Sequence, residues 1–74
     1  MLLHEKIRIT RLSKNLSQEN IATQLNISQP AYQKIECGKT VISAINIIKL
    51  SEILNFDFVE YLKDILKNNE CFVS

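Results

Sequence analysis

Residues 16–39 read LSQENIATQLNISQPAYQKIECGK, and this stretch carries the signals of two short helices and the turn between them. Ser17 precedes the first helical run, where its side chain can accept from free backbone N–H groups. Asn26 stands where the chain must reverse, because asparagine tolerates the left-handed conformation better than most residues. Ser28 is placed to cap the second run, and Gly38 to end it. The stretch therefore predicts two helices joined by a tight turn.

The second of these helices has two unlike faces. Tyr32 and Ile35 lie three residues apart on one face, which predicts that this face is buried. Proline in the first turn is compatible with the helix, because an N–H is not needed there. The opposite face carries Gln29, Pro30, Gln33 and Lys34. A short helix with a polar outer face behind a capped turn has the geometry of a helix that enters the major groove of DNA.

Further helices are predicted on both sides of this stretch. The first covers residues 3–14, with Thr10 facing inward and Arg8 and Arg11 facing outward. A fourth helix is capped by Ser43, covers about residues 44–54 and is ended by Asn55. A fifth helix is capped by Asp57 and covers about residues 58–68. No pattern of alternating residues indicates a strand.

These residues resemble the Xre-type, or lambda-repressor-like, helix-turn-helix family over roughly residues 5–62. The matching positions are 16–19, 21–22, 25, 27–29, 31–32, 34–36, 38–39 and the run from Ser43 to Leu54. The resemblance implies an all-α, compact five-helix lambda-repressor-like DNA-binding domain, with the helix-turn-helix at helices two and three. Three residues depart from the family pattern, namely Thr10, Asn26 and Cys37. We expect them to affect stability more than function, because none faces DNA in the family geometry.

The resemblance also implies which side chains meet DNA. The position of Gln29 commonly reads a base in this family, and the position of Gln18 commonly bonds a phosphate and can buttress Gln29. Glutamine suits base reading because its amide matches the N6 and N7 edge of adenine. The candidates for base readout are Gln29, Pro30, Gln33 and Lys34. The candidates for phosphate contact are Arg11, Lys14, Ser17, Gln18, Ser28, Lys34, Lys39 and Thr40. The alternatives are that Ser17 and Ser28 act mainly as helix caps, and that Gln29 and Gln33 are surface amides that make no contact with DNA.

The charges are distributed unevenly along the 74 residues, although the net charge is only +1. Up to Lys39 the chain has six basic and three acidic residues, whereas three basic and five acidic residues follow it. A basic half would turn towards phosphate, although ordinary solvated helix faces explain the same pattern. The length predicts a single domain over residues 1–68, with the helix-turn-helix at about 17–37 and a short tail at 69–74.

Helices four and five carry more apolar residues than one core requires. A helix that is apolar over too wide an arc indicates a second partner. We therefore expect a twofold homodimer interface, with a wide intramolecular core as the alternative. The candidate interface residues are Ile45, Ile53, Phe58, Tyr61, Leu62 and Ile65.

The remaining reactive residues predict neither catalysis nor a cofactor. His4 is the only histidine and is expected to be solvated, so no nucleophilic triad can be assembled. Cys37 and Cys71 lack metal-ligand spacing, which leaves redox sensing by Cys37 as a minor alternative. Glu36 is expected to pair with a Lys or Arg. No apolar run approaches the ~20 residues of a membrane span, and the N-terminus lacks a secretory signal, so a cytoplasmic location is expected.

Three functions remain open at this stage. The first is a homodimeric transcription regulator that reads a palindromic site in double-stranded DNA, as the similar layout of short phage repressors and restriction–modification controller proteins implies. The second is an antitoxin-like module that binds a protein partner through its tail, where residues 65–74 end in Cys71, Phe72, Val73 and Ser74. The third is a scaffold that has lost DNA binding, which the retained polar residues on the outer helix disfavour.

Overall fold

The computed structural model describes residues 2–68 and contains five α-helices in this range, with no strand. They are α1 (Leu3–Ser13), α2 (Gln18–Leu25), α3 (Gln29–Glu36), α4 (Ala44–Ile53) and α5 (Phe58–Asn68). The predicted all-α architecture is confirmed, and the helix bounds agree with the predicted ones to within about one residue. None of these five helices has the length and apolar character needed to cross a membrane. The predicted tail at 69–74 lies outside the described residues.

Short polar side chains begin four of the helices. The hydroxyls of Ser17, Ser28 and Ser43 accept from backbone N–H groups three residues later, at 3.0, 3.2 and 3.2 Å. Asp57 does the same for α5 at 2.9 Å. Each bond satisfies one of the N–H groups that a helix start leaves without an intrahelical partner. All four caps predicted from the sequence are therefore confirmed.

Residues with positive φ reverse the chain between helices. Asn15, Asn26 and Asn55 have φ values of 58°, 60° and 50°, and Gly38 has φ of 76°. A side chain at Gly38 would also collide with His4, because a Cβ there would lie 2.7 Å from the ring carbon Cε1. His4 is half-buried against Gly38, so it is less solvated than expected.

The core lies where the five helices meet. α2 packs on α3 and α4, while α5 packs on α4 and α1, and α1 also contacts α3. The largest fully buried side chains are Ile7, Ile21, Tyr32, Leu50, Leu54 and Phe58. Because α3 is held by α1 and α2 from behind, its other side is left free on the surface.

Phe58 corrects one of the predicted interface residues. It is fully buried in the core, its ring centroid lies 4.9 Å from that of Phe56, and its N–H donates to Ser51 Oγ. Phe58 is the first residue of α5, and its side chain points inward and fills the end of the core next to α4. Phe58 is therefore not available to a partner protomer.

Candidate nucleic-acid interface

The outer face of α3 is polar and open to solvent. Gln29, Pro30, Gln33 and Lys34 are all exposed there. Tyr32 and Ile35 lie on the opposite side and are buried, as predicted. The buried residues fix the rotation of α3, so the four polar-face residues must point away from the core.

A groove between α1, α2 and α3 brings part of this face next to the start of α2. Gln18 at the first position of α2 and Gln33 on α3 both line it, together with the exposed Arg8 of α1. The remaining lining residues are His4, Glu5, Glu36 and Cys37. The groove therefore unites Gln18 with Gln33, whereas Gln29 lies outside it.

A buried ion pair lies at the base of the groove. Arg11 Nε donates to Glu36 Oε2 at 2.6 Å, and the second guanidinium nitrogen Nη2 donates to Oε1 at 3.1 Å. Arg11 Nη1 donates to the carbonyl oxygen of Leu16 at 2.7 Å. The side chains are 8% and 2% exposed. The pair thus joins α1, the start of the helix-turn-helix and the end of α3.

Arg11 is therefore not the outward phosphate contact that was predicted. It lies four residues after the buried Ile7, so the helical repeat turns both residues to the inner face of α1. All three of its hydrogen-bonding nitrogens are engaged within the protein. The expectation that Glu36 pairs with a basic residue is confirmed.

Burial and hydrogen bonding act in opposite directions on Glu36. Burial favours the neutral carboxyl of Glu36, but the hydrogen bonds from Arg11 and Gln18 outweigh it, so the pKa of Glu36 lies below its ordinary value. Hydrogen bonding to Glu36 raises the pKa of Arg11. The pKa of the Tyr32 hydroxyl is raised by burial and by the neighbouring carboxylate, although this hydroxyl makes no hydrogen bond of standard geometry. At neutral pH the pair is therefore fully charged.

Gln18 is the one predicted DNA-contacting residue that the ion pair holds directly. Its Nε2 donates to Glu36 Oε1 at 3.1 Å, and its side chain is half-buried. The other predicted phosphate contacts are exposed, namely Lys14, Ser17, Ser28, Lys34, Lys39 and Thr40. The hydroxyls of Ser17 and Ser28 also cap their helices, so both serines stand at helix starts where free N–H groups favour an anion.

Arg8 is the residue that the sequence reasoning missed as a site candidate. It is exposed and lies in the groove beside Gln18 and Gln33, and no ion pair holds it within residues 2–68. The sequence indicates only that Arg8 faces outward on α1, because its place beside Gln18 and Gln33 depends on how α1, α2 and α3 pack. Within the described range, no group of three His, Cys, Asp or Glu residues could hold a metal ion, and Cys37 is an exposed free thiol.

Comparison with known proteins agrees with this geometry. A family profile described as helix-turn-helix matches residues 7–61. The chain is 36% identical over 63 residues to control protein C.MunI of Mycoplasma sp, which covers 84% of this chain and 85% of that relative. No solved structure matches the chain.

Proposed function

Because the chain belongs to the helix-turn-helix family of DNA-binding transcription regulators, we propose that it binds a palindromic DNA site as a homodimer. In this proposal α3 of each protomer enters a major groove. The two grooves lie one helical turn apart on the same side of the duplex, at about 34 Å. The similarity to a control protein supports a regulatory role for the binding.

The observation that carries the proposal is the exposed outer face of α3. Gln29 and Gln33 lie four residues apart, which is about one turn, and both amides are free to meet base edges. Each amide can donate to N7 and accept from N6 of an adenine. Lys34 would add a contact to guanine or phosphate, and Pro30 an apolar contact to a thymine methyl group.

Cations around this face support the backbone contacts. Arg8, Lys14 and Lys39 are exposed, and Arg8 shares the groove with the two glutamines of α2 and α3. With about four to six phosphate contacts from such residues per dimer, the logarithm of affinity should fall against the logarithm of salt concentration with a slope of about −4 to −5. The starts of α2 and α3 add backbone N–H donors.

Exposed apolar stripes on α4 and α5 support the homodimer. Ile45 and Ile48 lie three residues apart on α4 and are 65% and 52% exposed. Val59 and Leu66 lie seven residues apart on α5 and are also exposed. Ile53 and Leu62 are partly buried against the protomer's own core, and Tyr61 and Ile65 are half-buried. The proposed interface is thus built on Ile45 and Ile48, with the half-buried residues at its edge.

Selection of bound duplexes from a random DNA pool tests the DNA-binding part. We expect a palindrome with half-sites about one turn apart, and weaker or less selective binding by the Gln29→Ala/Gln33→Ala variant. A Lys63→Gln variant serves as control, because Lys63 is exposed on α5, away from α3. Failure to enrich any sequence would contradict the proposal and direct the search to a protein partner.

Light scattering tests the homodimer. We expect the mass of a dimer at high micromolar concentration and the mass of a monomer for the Ile45→Glu/Ile48→Glu variant. Leu12→Glu is the matched control, because Leu12 is 50% exposed on α1 and lies outside the proposed interface. A monomer mass for the unmodified protein would remove the dimer from the proposal.

A further inference from the structure

The hydroxyl of Tyr32 is a buried polar group without a partner. Tyr32 is 0% exposed, and its hydroxyl makes no hydrogen bond of standard geometry with any group in residues 2–68. Buried hydroxyls in native proteins are nearly always hydrogen-bonded, because an unpaired one has lost its bonds with water and gained none in return. Tyr32 therefore holds an unused donor at the back of α3, the helix proposed to read DNA.

The unused donor lies beside a carboxylate. Tyr32 and Glu36 are four residues apart on α3, which is about one helical turn, and both are buried. Burial and the carboxylate of Glu36 raise the pKa of the Tyr32 hydroxyl, so the two groups lie within range of each other. A tyrosine hydroxyl has one hydrogen to donate, and an ionised carboxylate has about four acceptor sites. Glu36 is thus the group to which Tyr32 can donate after a small rearrangement.

Glu36 is shared between an inner donor and an outer donor. Arg11 holds both of its oxygens from inside the protein, through Nε at 2.6 Å and Nη2 at 3.1 Å. Gln18 Nε2 donates to Oε1 at 3.1 Å from the rim of the groove, where its side chain is half-buried. The contact with Arg11 joins two opposite charges that are 8% and 2% exposed, whereas Gln18 is uncharged and borders solvent. The bond from Gln18 is therefore the replaceable one.

We propose that Tyr32 is a positioning residue, whose hydroxyl donates to Glu36 when the amide of Gln18 turns outward to a DNA phosphate. The amide can offer both of its N–H groups to phosphate only after it leaves the carboxylate. Its departure removes one hydrogen bond from a buried charge, and the Tyr32 hydroxyl replaces that bond. The carboxylate thus stays paired with Arg11 while Gln18 binds DNA. The inference rests on the proposed function, since it concerns how the same domain contacts the DNA backbone.

A double-mutant cycle on stability tests this exchange without DNA. Gln18→Ala removes the outer donor, so the hydroxyl of Tyr32 should already be bonded to Glu36 in this variant. In the unmodified protein, Tyr32→Phe should raise the equilibrium constant of unfolding by less than about twofold, because no hydrogen bond is lost. In the Gln18→Ala background the same substitution should raise this constant about fivefold, which is the effect of losing one hydrogen bond. Urea unfolding at one fixed protein concentration measures both changes.

Tyr61→Phe is the matched control for the cycle. Tyr61 is a half-buried tyrosine on α5, and its ring lies near Phe56 and Lys6. Its replacement should have the same effect on unfolding with and without Gln18, to within about twofold. Equal losses from Tyr32→Phe in both backgrounds would overturn the inference, because the hydroxyl would then have a partner that does not depend on Gln18. The absence of a loss in either background would also overturn it, because the replacing bond would then not form.

The affinity for the palindrome obtained by selection tests the link to DNA. Measured by fluorescence anisotropy, Tyr32→Phe should weaken binding about fivefold per protomer, because Glu36 then lacks the replacing bond in the complex. In the Gln18→Ala background it should weaken binding by less than about twofold, because there is no amide to release.

The failure of the inference and the failure of the proposed function give different results. Unchanged affinity of Tyr32→Phe for the palindrome would overturn the inference and leave the proposed function intact. If the unmodified protein selects no sequence, the proposed function is contradicted, and the cycle on stability still decides whether Tyr32 replaces Gln18 as a donor to Glu36.

Discussion

Replacing Arg11 by methionine tests how much the buried ion pair contributes to the free energy of unfolding. The substitution keeps an unbranched apolar chain but removes every hydrogen bond that the guanidinium donates to Glu36 and to Leu16. The Glu36 carboxylate, whose side chain is 2% exposed, is then left without its countercharge. Removal of one partner of a buried pair destabilises a protein by about 3–5 kcal/mol.

That loss is large for a chain of this size. At about 0.05–0.15 kcal/mol per residue, 74 residues give a total free energy of unfolding of only about 4–11 kcal/mol. Arg11→Met should therefore remove about a quarter or more of this free energy of unfolding. Urea unfolding followed by circular dichroism at 222 nm measures the difference, at one fixed protein concentration because the proposed dimer would also contribute to stability.

The pH dependence of this loss has a definite sign. In the unmodified protein the folded pKa of Glu36 is lowered, so its stabilising effect is present above the unfolded pKa of about 4.3 and is lost as pH falls through the folded pKa. Without Arg11, burial should raise the folded pKa of Glu36 above the unfolded value. The Arg11→Met variant should then gain stability as pH falls from 7 to about 5. The difference in free energy of unfolding between the variant and the unmodified protein should therefore become smaller over this range.

Arg8→Met is the matched control for this prediction. Arg8 lies on the same helix but is exposed, and its replacement should change the free energy of unfolding by less than about 0.5 kcal/mol. A loss below about 1 kcal/mol for Arg11→Met, or a loss equal to that of Arg8→Met, would refute the reasoning.

Three further predictions concern the caps, the groove and the turn. Ser28→Ala and Ser43→Ala should each lower the free energy of unfolding by about 1 kcal/mol in urea titrations, because each removes a helix cap. Only Ser28→Ala should also weaken DNA binding, because Ser28 stands at the start of α3. Equal effects of the two substitutions on DNA binding would contradict a role for the start of α3. Arg8→Gln should reduce the slope of log affinity against log salt concentration by about two per dimer, as measured by fluorescence anisotropy. The control Lys63→Gln should leave this slope unchanged. An unchanged slope for Arg8→Gln would exclude a phosphate contact by Arg8. Gly38→Ala should destabilise the fold by about 1–3 kcal/mol because of its φ of 76°, and an unchanged melting temperature would show that the turn relaxes at no cost.

The local features of this fold could be predicted from the sequence because their causes are local. A serine or aspartate at a helix start and an asparagine or glycine at a reversal act within three or four residues. The caps at Ser17, Ser28, Ser43 and Asp57 and the left-handed turn at Asn26 therefore agree with the structure.

The errors concern side chains whose surroundings depend on distant parts of the chain. Arg11 meets Glu36 across 25 positions, and composition alone favours the surface for a single arginine. Phe58 was assigned to a partner protomer because the sequence does not show how much apolar area its own core can absorb. Arg8 became a site candidate only when the groove placed it beside Gln18 and Gln33.

The spacing of the two half-sites tests the central claim most directly, which is that two copies of α3 read one face of a DNA duplex. The affinity of the unmodified protein is measured for the selected palindrome and for a version with five base pairs inserted at its centre. Half a helical turn rotates one half-site to the opposite side of the duplex. We predict that affinity falls to that of a single half-site, and that it stays there when ten base pairs are inserted, because the half-sites then face the same side of the duplex but lie about 34 Å further apart. Equal affinity for all three duplexes would contradict the account.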